Sequence, residues 1–257
     1  MSADARRPVM EQASRAAEAL EGKLPALVLT GAGISVESGI PPFRGPGGLW
    51  SKYDPMEYGH IDTLKRAPEK AWILLWDIIG TSSKAVPNEA HRSLASMEKK
   101  GYVGPIVTQN VDGMHLLAGS EDVLEIHGNA RRIYCQKCGG EETLEVEMID
   151  SFDYNCECGG LKRPDIVFFG ESLPDEVFRR SLEAAASCES ILIVGTSGIV
   201  YPAAMIPEEV KLRGKLVVEV NPSRTPYTER STDHFIKAPA TVGVPALEKA
   251  LDDLPNA

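Results

Sequence analysis

Short apolar runs recur along the chain: "ALVLT", "GPIVT", "DVLEIHG", "SILIVG" and "KLVVEVN". Each has strand length, is rich in Val, Ile and Leu, and ends in turn-forming residues, the pattern of a strand buried on both faces. Helical periodicity separates several of them, in "NEAHRSLASMEKKG" and "DEVFRRSLEAAASC", and a further helix over about residues 9 to 22 precedes the first. Strands alternating with helices predict an α/β fold, a mainly parallel sheet with helices on both faces. Residues 45–86, with the helical "PEKAWILLWDIIG", and residues 131–163, with four clustered cysteines, interrupt the rhythm. They read as two insertions that build a smaller lobe on a large domain made of residues 1–44, 87–130 and 164–257.

Ligands in open α/β sheets bind beyond the carboxyl ends of the strands. Gly31-Ala32-Gly33-Ile34-Ser35 follows the first run and Gln109-Asn110-Val111-Asp112 the second. His127-Gly128, Gly195-Thr196-Ser197 and Asn221-Pro222-Ser223 follow the other three. Any one of these groups is an ordinary turn or helix cap. Five together in one sheet point to a site, and the two glycine turns suit phosphate. The first turn starts like a dinucleotide fingerprint and then departs from it. Val36 stands where the third glycine belongs, and a Pro/Gly-rich stretch, "GIPPFRGPGG", replaces the expected second strand. His127 is the candidate base, since it ends a strand and imidazole titrates near neutrality. His115 is its rival, whereas His60 and His91 fall in helix or loop contexts.

Cys135 and Cys138, then after seventeen residues Cys156 and Cys158 followed by two glycines, form two close pairs of thiols. That arrangement suits a tetrahedral zinc, and four thiolates leave no open position, so the metal is structural. A disulfide conflicts with an intracellular setting, and a redox dithiol leaves the second pair unexplained. The lone Cys188 reads as a buried hydrophobe.

With 257 residues, 43% of them hydrophobic, the chain can bury one large core with a small satellite. A formal net charge of −10 argues against nucleic acid and anionic membrane as partners. No run is long enough to span a bilayer, and the first twenty residues carry no apolar signal core. The expectation is a soluble cytoplasmic protein, monomeric by default.

"GAGISVESGIPPFRG", "TQNVDGMH", "LEIHGNA", the cysteine cluster, "RPDIVFFGE", "VGTSGIVYPAA" and "VEVNP" resemble, in order, the sirtuins, NAD-dependent protein-lysine deacylases. The resemblance implies a Rossmann-like domain, a lobe of zinc ribbon and helices, and a cleft between them for NAD and acyl-lysine. It implies His127 as general base, with Asn110, Asp112 and Ser35 around nicotinamide. Phe43 and Arg44 would belong to a flap closing over NAD, and Gln109 would hold ribose. Gly195, Thr196 and Ser197 would meet the phosphates and nearby sugar and Asn221 the adenosine ribose, with Pro222 and Ser223 beside it among the cofactor contacts. Ile166, Val167, Phe168, Phe169, Gly170 and Glu171 would form an edge that adds the substrate peptide as a strand.

Pro42 occupies a flap position that is Asp in many sirtuins. "VESG", "FRGPGGLW" and "YPAAM" are most similar to the branch that removes negatively charged acyl groups. Aligned without gaps on Trp72 and Pro87-Asn88, the Tyr and Arg with which that branch binds a carboxylate become Leu75 and Ile78. Burying a carboxylate against aliphatic side chains costs several kcal/mol, so acetyl or longer apolar acyl groups are expected over succinyl. Two other classes compete: a mono-ADP-ribosyltransferase on the same scaffold, and a non-enzymatic zinc adaptor that keeps NAD as a structural ligand.

Overall fold

A computed structural model describes residues 3–45, 47–144, 148 and 151–255. Its strands are β1 (Ala26–Thr30), β2 (Val103–Thr108), β3 (Val123–Glu125), β4 (Gly128–Cys135), β5 (Glu141–Thr143), β6 (Lys162–Ile166), β7 (Ser190–Val194), β8 (Leu216–Asn221) and β9 (His234–Lys237). The helices of the first half are α1 (Ala3–Leu20), α2 (Pro55–Tyr58), α3 (Ile61–Arg66), α4 (Pro68–Ser82) and α5 (Glu89–Lys99). Those of the second half are α6 (Met114–Ala118), α7 (Asp175–Ser187), α8 (Met205–Leu212), α9 (Pro226–Arg230) and α10 (Ala240–Asp252).

Six strands pair in parallel in the order β3-β2-β1-β7-β8-β9. The order reverses between β1 and β7, the switch point beside which such sheets bind ligands. Alternation along β1 explains the two covered faces. Ala26 and Val28 pack with α1, α5 and α10, whereas Leu27 and Leu29 pack with residues of α7 and α8. The register sets Thr30 beside Thr108 and Val194, and Thr108 beside Glu125. The strand ends are therefore flush, and the five groups read from the sequence emerge on one rim.

The smaller lobe contains the antiparallel sheet β5-β4-β6. Leu64 of α3 and Trp72, Leu75 and Ile79 of α4 share a core with Ala130, Ile133, Phe152 and Phe168. The two insertions thus form one packed unit. Its strands begin and end beyond the segment limits read from the sequence, because β4 starts at Gly128 and β6 runs to Ile166. Two other readings shift. Helix α1 begins at Ala3 and continues through Pro8. The edge strand β9, only four residues long, carries no apolar run that would announce it. Among the described residues, no helix is long and apolar enough to cross a membrane.

Candidate active site

The turns after β1 and β7 lock together. Gly33 N–H donates to the Gly195 carbonyl at 2.8 Å, and Gly31 N–H to that of Val194 at 3.1 Å. A Cβ on Gly33 would lie 2.5 Å from the Gly195 oxygen, so only glycine permits this approach. Gly195 has φ of +61° and would push a Cβ to 2.4 Å from Ile34 N. Polar side chains extend the lock. Gln109 Nε2 donates to Thr196 Oγ1, and Asn221 Nδ2 to the Thr196 carbonyl, each at 2.9 Å.

These turns floor a cavity of about 640 Å³, the size of a cofactor or drug-like site. Gly31, Ala32, Gly33, Gln109, Asn110, His127, Gly195, Thr196, Ser197, Asn221, Pro222 and Ser223 line it. So do Phe43 and Arg44 of the flap and all of Ile166 to Glu171. Of the expected cofactor contacts, Ser35 and Asp112 line a recess beside this cavity instead, and Ile34 lines neither space. Its side chain is fully buried in the sheet core beneath the turn.

Beside the cavity lies a narrow recess lined by Ser35, Asp112, Asp77, Thr81 and Ser82, with Ala32, Phe43, Ile78, Asn110 and Val111 shared between the two spaces. Its polar floor has one consistent set of protons. Asn88 N–H donates to His91 Nδ1 at 3.3 Å, which leaves the His91 proton on Nε2, 3.4 Å from Ser35 Oγ. Asn110 Nδ2 donates to the same oxygen at 3.2 Å. Ser35, with both lone pairs occupied, gives its own proton to Asp112 Oδ2 at 2.7 Å. Met114 N–H donates to Asp112 Oδ1 at 3.0 Å. Burial pushes the Asp112 carboxyl above the usual range, opposed by the Met114 and Ser35 hydrogen bonds.

His91 is the member of this hydrogen-bond network that the sequence reading did not single out. The available signal was local: Asn88 caps α5 and His91 completes the capping box, which fixes the ring under Ser35. His115 does not reach the cavity. It is buried against Thr30 Oγ1 at 2.9 Å and meets His91 edge-on at 5.1 Å.

Burial lowers His91 to about 4 and His115 to about 3. Between these values and about 6.5 the unfolded chain binds protons that the folded chain refuses, so stability falls as pH drops through that window. Each histidine contributes about 1.4 kcal/mol per pH unit. Moving from pH 7 to pH 5, these two histidines together should remove about 4 kcal/mol, roughly 10 °C in melting temperature, with His127 adding to the loss and the raised carboxyls of Asp112 and Glu125 opposing it. Calorimetry at the two pH values checks this, and a flat profile would contradict the buried neutral pair.

His127 is half-buried on the cavity wall, its Nδ1 2.9 Å from the Gln109 carbonyl. A carbonyl only accepts, so Nδ1 carries the proton and Nε2 keeps its lone pair. Burial lowers the His127 pKa, against the opposing effect of that hydrogen bond. The ring is thus a neutral base at pH 7.

The flap folds back on itself through Leu49 N–H to Pro42 O and Trp50 N–H to Phe43 O, both 2.9 Å. Phe43 packs on Trp50 and Trp50 on Phe169, with centroids 5.4 and 5.8 Å apart. The Ile166–Glu171 segment is itself tied down. Phe169 N–H donates to Gly59 O, Phe169 O accepts from Ile61, and Val167 N–H donates to His127 O. Glu171 forms a two-toothed pair with Arg163 at 2.7 and 2.8 Å and accepts from Phe168 N–H. Its carboxylate is thus engaged in holding this wall.

The acyl-pocket pair needs a correction. Leu75 is fully buried with Trp72 and Ile79 in the small-lobe core, whereas Leu74 and Ile78 line the cavity. On a helix, positions 72, 75 and 79 share one face, and 74 and 78 share the neighbouring one. An alignment anchored on Trp72 follows the core face.

The Sγ atoms of Cys135, Cys138, Cys156 and Cys158 lie within 4.8 Å of one another. The 135–158 and 138–156 pairs are 3.5 and 3.8 Å apart. Tetrahedral zinc with Zn–S of about 2.3 Å requires sulfurs about 3.8 Å apart, so the donor set fits. Gly160 closes behind it, where a Cβ would lie 2.6 Å from Cys135 Sγ.

A dinucleotide-sized cavity over a Rossmann-order sheet, a neutral histidine base and a four-thiolate lobe define a nucleotide-using α/β protein with a structural metal site. Residues 31–202 match the Sir2 family. An NAD-dependent protein deacylase of Aquifex aeolicus is 43% identical over 229 residues, covering 89% of this chain and 94% of that one. An NAD-dependent protein deacylase Sir2 of Mycolicibacterium smegmatis is 42% identical over 236 residues, covering 89% and 97%. Among solved structures, a Sir2 homologue–NAD complex superposes with TM-score 0.83 at 33% identity, covering 96% and 93%. A Sir2 variant bound to deacetylated p53 peptide and 3'-O-acetyl-ADP-ribose gives 0.85 at 33% identity, covering 93% and 97%. The chain belongs to the Sir2 family.

Proposed function

We propose that the chain is an NAD-dependent protein-lysine deacylase that passes the acyl group from lysine to ADP-ribose and releases nicotinamide. The observation that carries this is His127. Its free Nε2 faces the cavity that joins the glycine turns, the Ser35–Asn110–Asp112 recess and an apolar wall. NAD bound there supplies the electrophilic ribose carbon and nicotinamide as the leaving group.

Ser35, Asn110 and Asp112 hold the carboxamide in the recess, in the orientation set by His91. Phe43 and the flap cover the reacting sugar and exclude water, and the two walls align the acyl-lysine, so orientation supplies much of the rate. His127 Nε2 takes the proton from a ribose hydroxyl as that oxygen attacks the acyl carbon. The backbone of Ile166–Glu171, together with Val200 and Tyr201 on the same cavity, receives the extended substrate peptide. ADP-ribosyl transfer would use the same cavity without calling on His127. Mass spectrometry of a reacted acyl-peptide decides: loss of the acyl group supports deacylation, and gain of ADP-ribose on the peptide overturns it.

Leu74, Ile78, Val111 and Ile166 make the acyl wall apolar. Asp77 on the same helix lines the recess, paired with Lys52 at 2.8 Å. Against Leu74, Ile78, Val111 and Ile166 a succinyl carboxylate would be desolvated without a partner among these four side chains. Acetyl- or butyryl-lysine peptide should therefore exceed the matched succinyl peptide in kcat/KM by at least ~10-fold, and faster succinyl turnover would contradict this wall. The protein acts on acyl-lysine proteins as a cytoplasmic monomer, without nucleic acid or membrane.

A further inference from the structure

Residues 126–128 leave the parallel sheet at the end of β3 and enter the antiparallel sheet of the smaller lobe at the start of β4. This crossing between the lobes is also the segment that carries His127. Its backbone is held from both sides: Ile126 N–H donates to Thr108 O at 3.1 Å, and Val167 N–H to His127 O at 3.0 Å. Side chains close it as well. Glu125 and Asn129, each two residues from His127, meet across the turn, with Asn129 Nδ2 donating to Glu125 Oε1 at 2.7 Å.

Both residues are buried. Burial pushes the Glu125 carboxyl above its usual range, opposed by the Arg132 charge and the Asn129 hydrogen bond. Apolar residues would fill such a space without the cost of desolvating a carboxylate. What the polar pair adds is a contact of fixed length and direction across His127. Arg132 takes the other Glu125 oxygen at 3.0 Å and also holds Asp165 Oδ2 of β6 at 2.8 Å. Asn129 Oδ1 accepts from Arg131 N–H at 3.0 Å, and the Ala130 N–H between them donates to Val111 O at 2.9 Å. The brace thus joins the carrier of the base to the edge of the recess and to the strand that leads into the Ile166–Glu171 wall.

We propose that Glu125 and Asn129 are positioning residues for His127, and that their contact holds the imidazole in register with the ribose it deprotonates. With His127 as the base, as the proposed function requires, the ring must meet a hydroxyl of a cofactor seated on the large domain, although β4 belongs to the smaller lobe. A displacement of about 1 Å can cost ~100-fold in rate. Neither Glu125 nor Asn129 lines the cavity, so both act through the turn and not on the substrate.

The test uses the zinc-loaded full chain and its Asn129→Ala, Glu125→Ala and Glu125→Gln variants. Single-turnover lysine formation should fall at least ~10-fold in the two alanine variants, with nicotinamide release within about threefold of wild type. Glu125→Gln keeps an oxygen for Asn129 and should recover lysine formation to within about threefold of wild type. Asn129→Ala leaves the Glu125–Arg132 pair intact, so it decides the matter where Glu125→Ala fails to fold. A second readout is proton NMR of the His127 Nδ1–H, identified by its absence in His127→Ala. Its exchange with water should quicken at least ~10-fold in the alanine variants as its bond to Gln109 O loosens. Equal loss of both products, unchanged lysine formation in Asn129→Ala, a Glu125→Gln variant as slow as Glu125→Ala, or unchanged exchange would each overturn the positioning role. A wild type that forms no lysine from any acyl-peptide would refute the proposed function, and the exchange of the His127 proton would then decide whether the pair holds the ring.

Discussion

His127→Ala should lower deacylation kcat by roughly 100- to 10,000-fold, the range for removing a positioned general base. The loss should be confined to the second half of the reaction. His127 contacts Gln109 through Nδ1 on the wall of the large cavity, whereas Ser35, Asn110 and Asp112 form the separate recess proposed for the leaving group. Nicotinamide release in a single turnover should therefore survive in the variant while free lysine does not form. The residue is half-buried and its side chain makes one hydrogen bond, so the melting temperature should fall by no more than about 5 °C. Rapid-quench analysis of both products checks the order. A variant within about threefold of wild type in lysine release would remove His127 from the base role.

Much of the site was legible because a parallel sheet converts sequence position into spatial position. Once β1, β2, β3, β7 and β8 are read as strands of one sheet, their flush register brings Gly31, Gln109, His127, Gly195 and Asn221 to one rim. The cysteine spacing was legible for a similar reason, since two tight turns deliver their thiols locally. What escaped depends on packing between distant elements. Leu75 and Leu74 differ by one helical step, and only the small-lobe core decides which of them turns inward. His91 reaches Ser35 from 56 residues away. Glu171 reads as part of a peptide edge until Arg163 is seen to hold it, and Glu219 reads as a strand residue until three threonines surround it. Strand β9 escaped because an edge strand of four residues gains its pairing from β8 rather than from its own pattern.

Removing the zinc should abolish activity although no step of the reaction needs the metal. The apparent free energy of structural zinc binding, about 10–16 kcal/mol in small domains, matches or exceeds the whole stability expected of a domain, about 5–15 kcal/mol. Four closely spaced thiols are a poor end to β4 without a cation to join them. The damage should spread, because Phe152 and Phe168 share a core with Trp72 and Leu75 of α4. That core holds the adjacent face, Leu74 and Ile78, against the acyl side of the cavity. Chelation or Cys156→Ser should thus eliminate deacylation and the near-ultraviolet dichroism of the Trp72–Trp76–Phe152 cluster. Helical content of the large domain should largely remain. Refilling the apo-protein with Cd²⁺, which also takes four thiolates, should restore turnover to within about threefold, since a metal with no open position only has to hold the lobe together. A metal-free protein that keeps both its aromatic signal and its turnover would show that packing alone sustains the lobe.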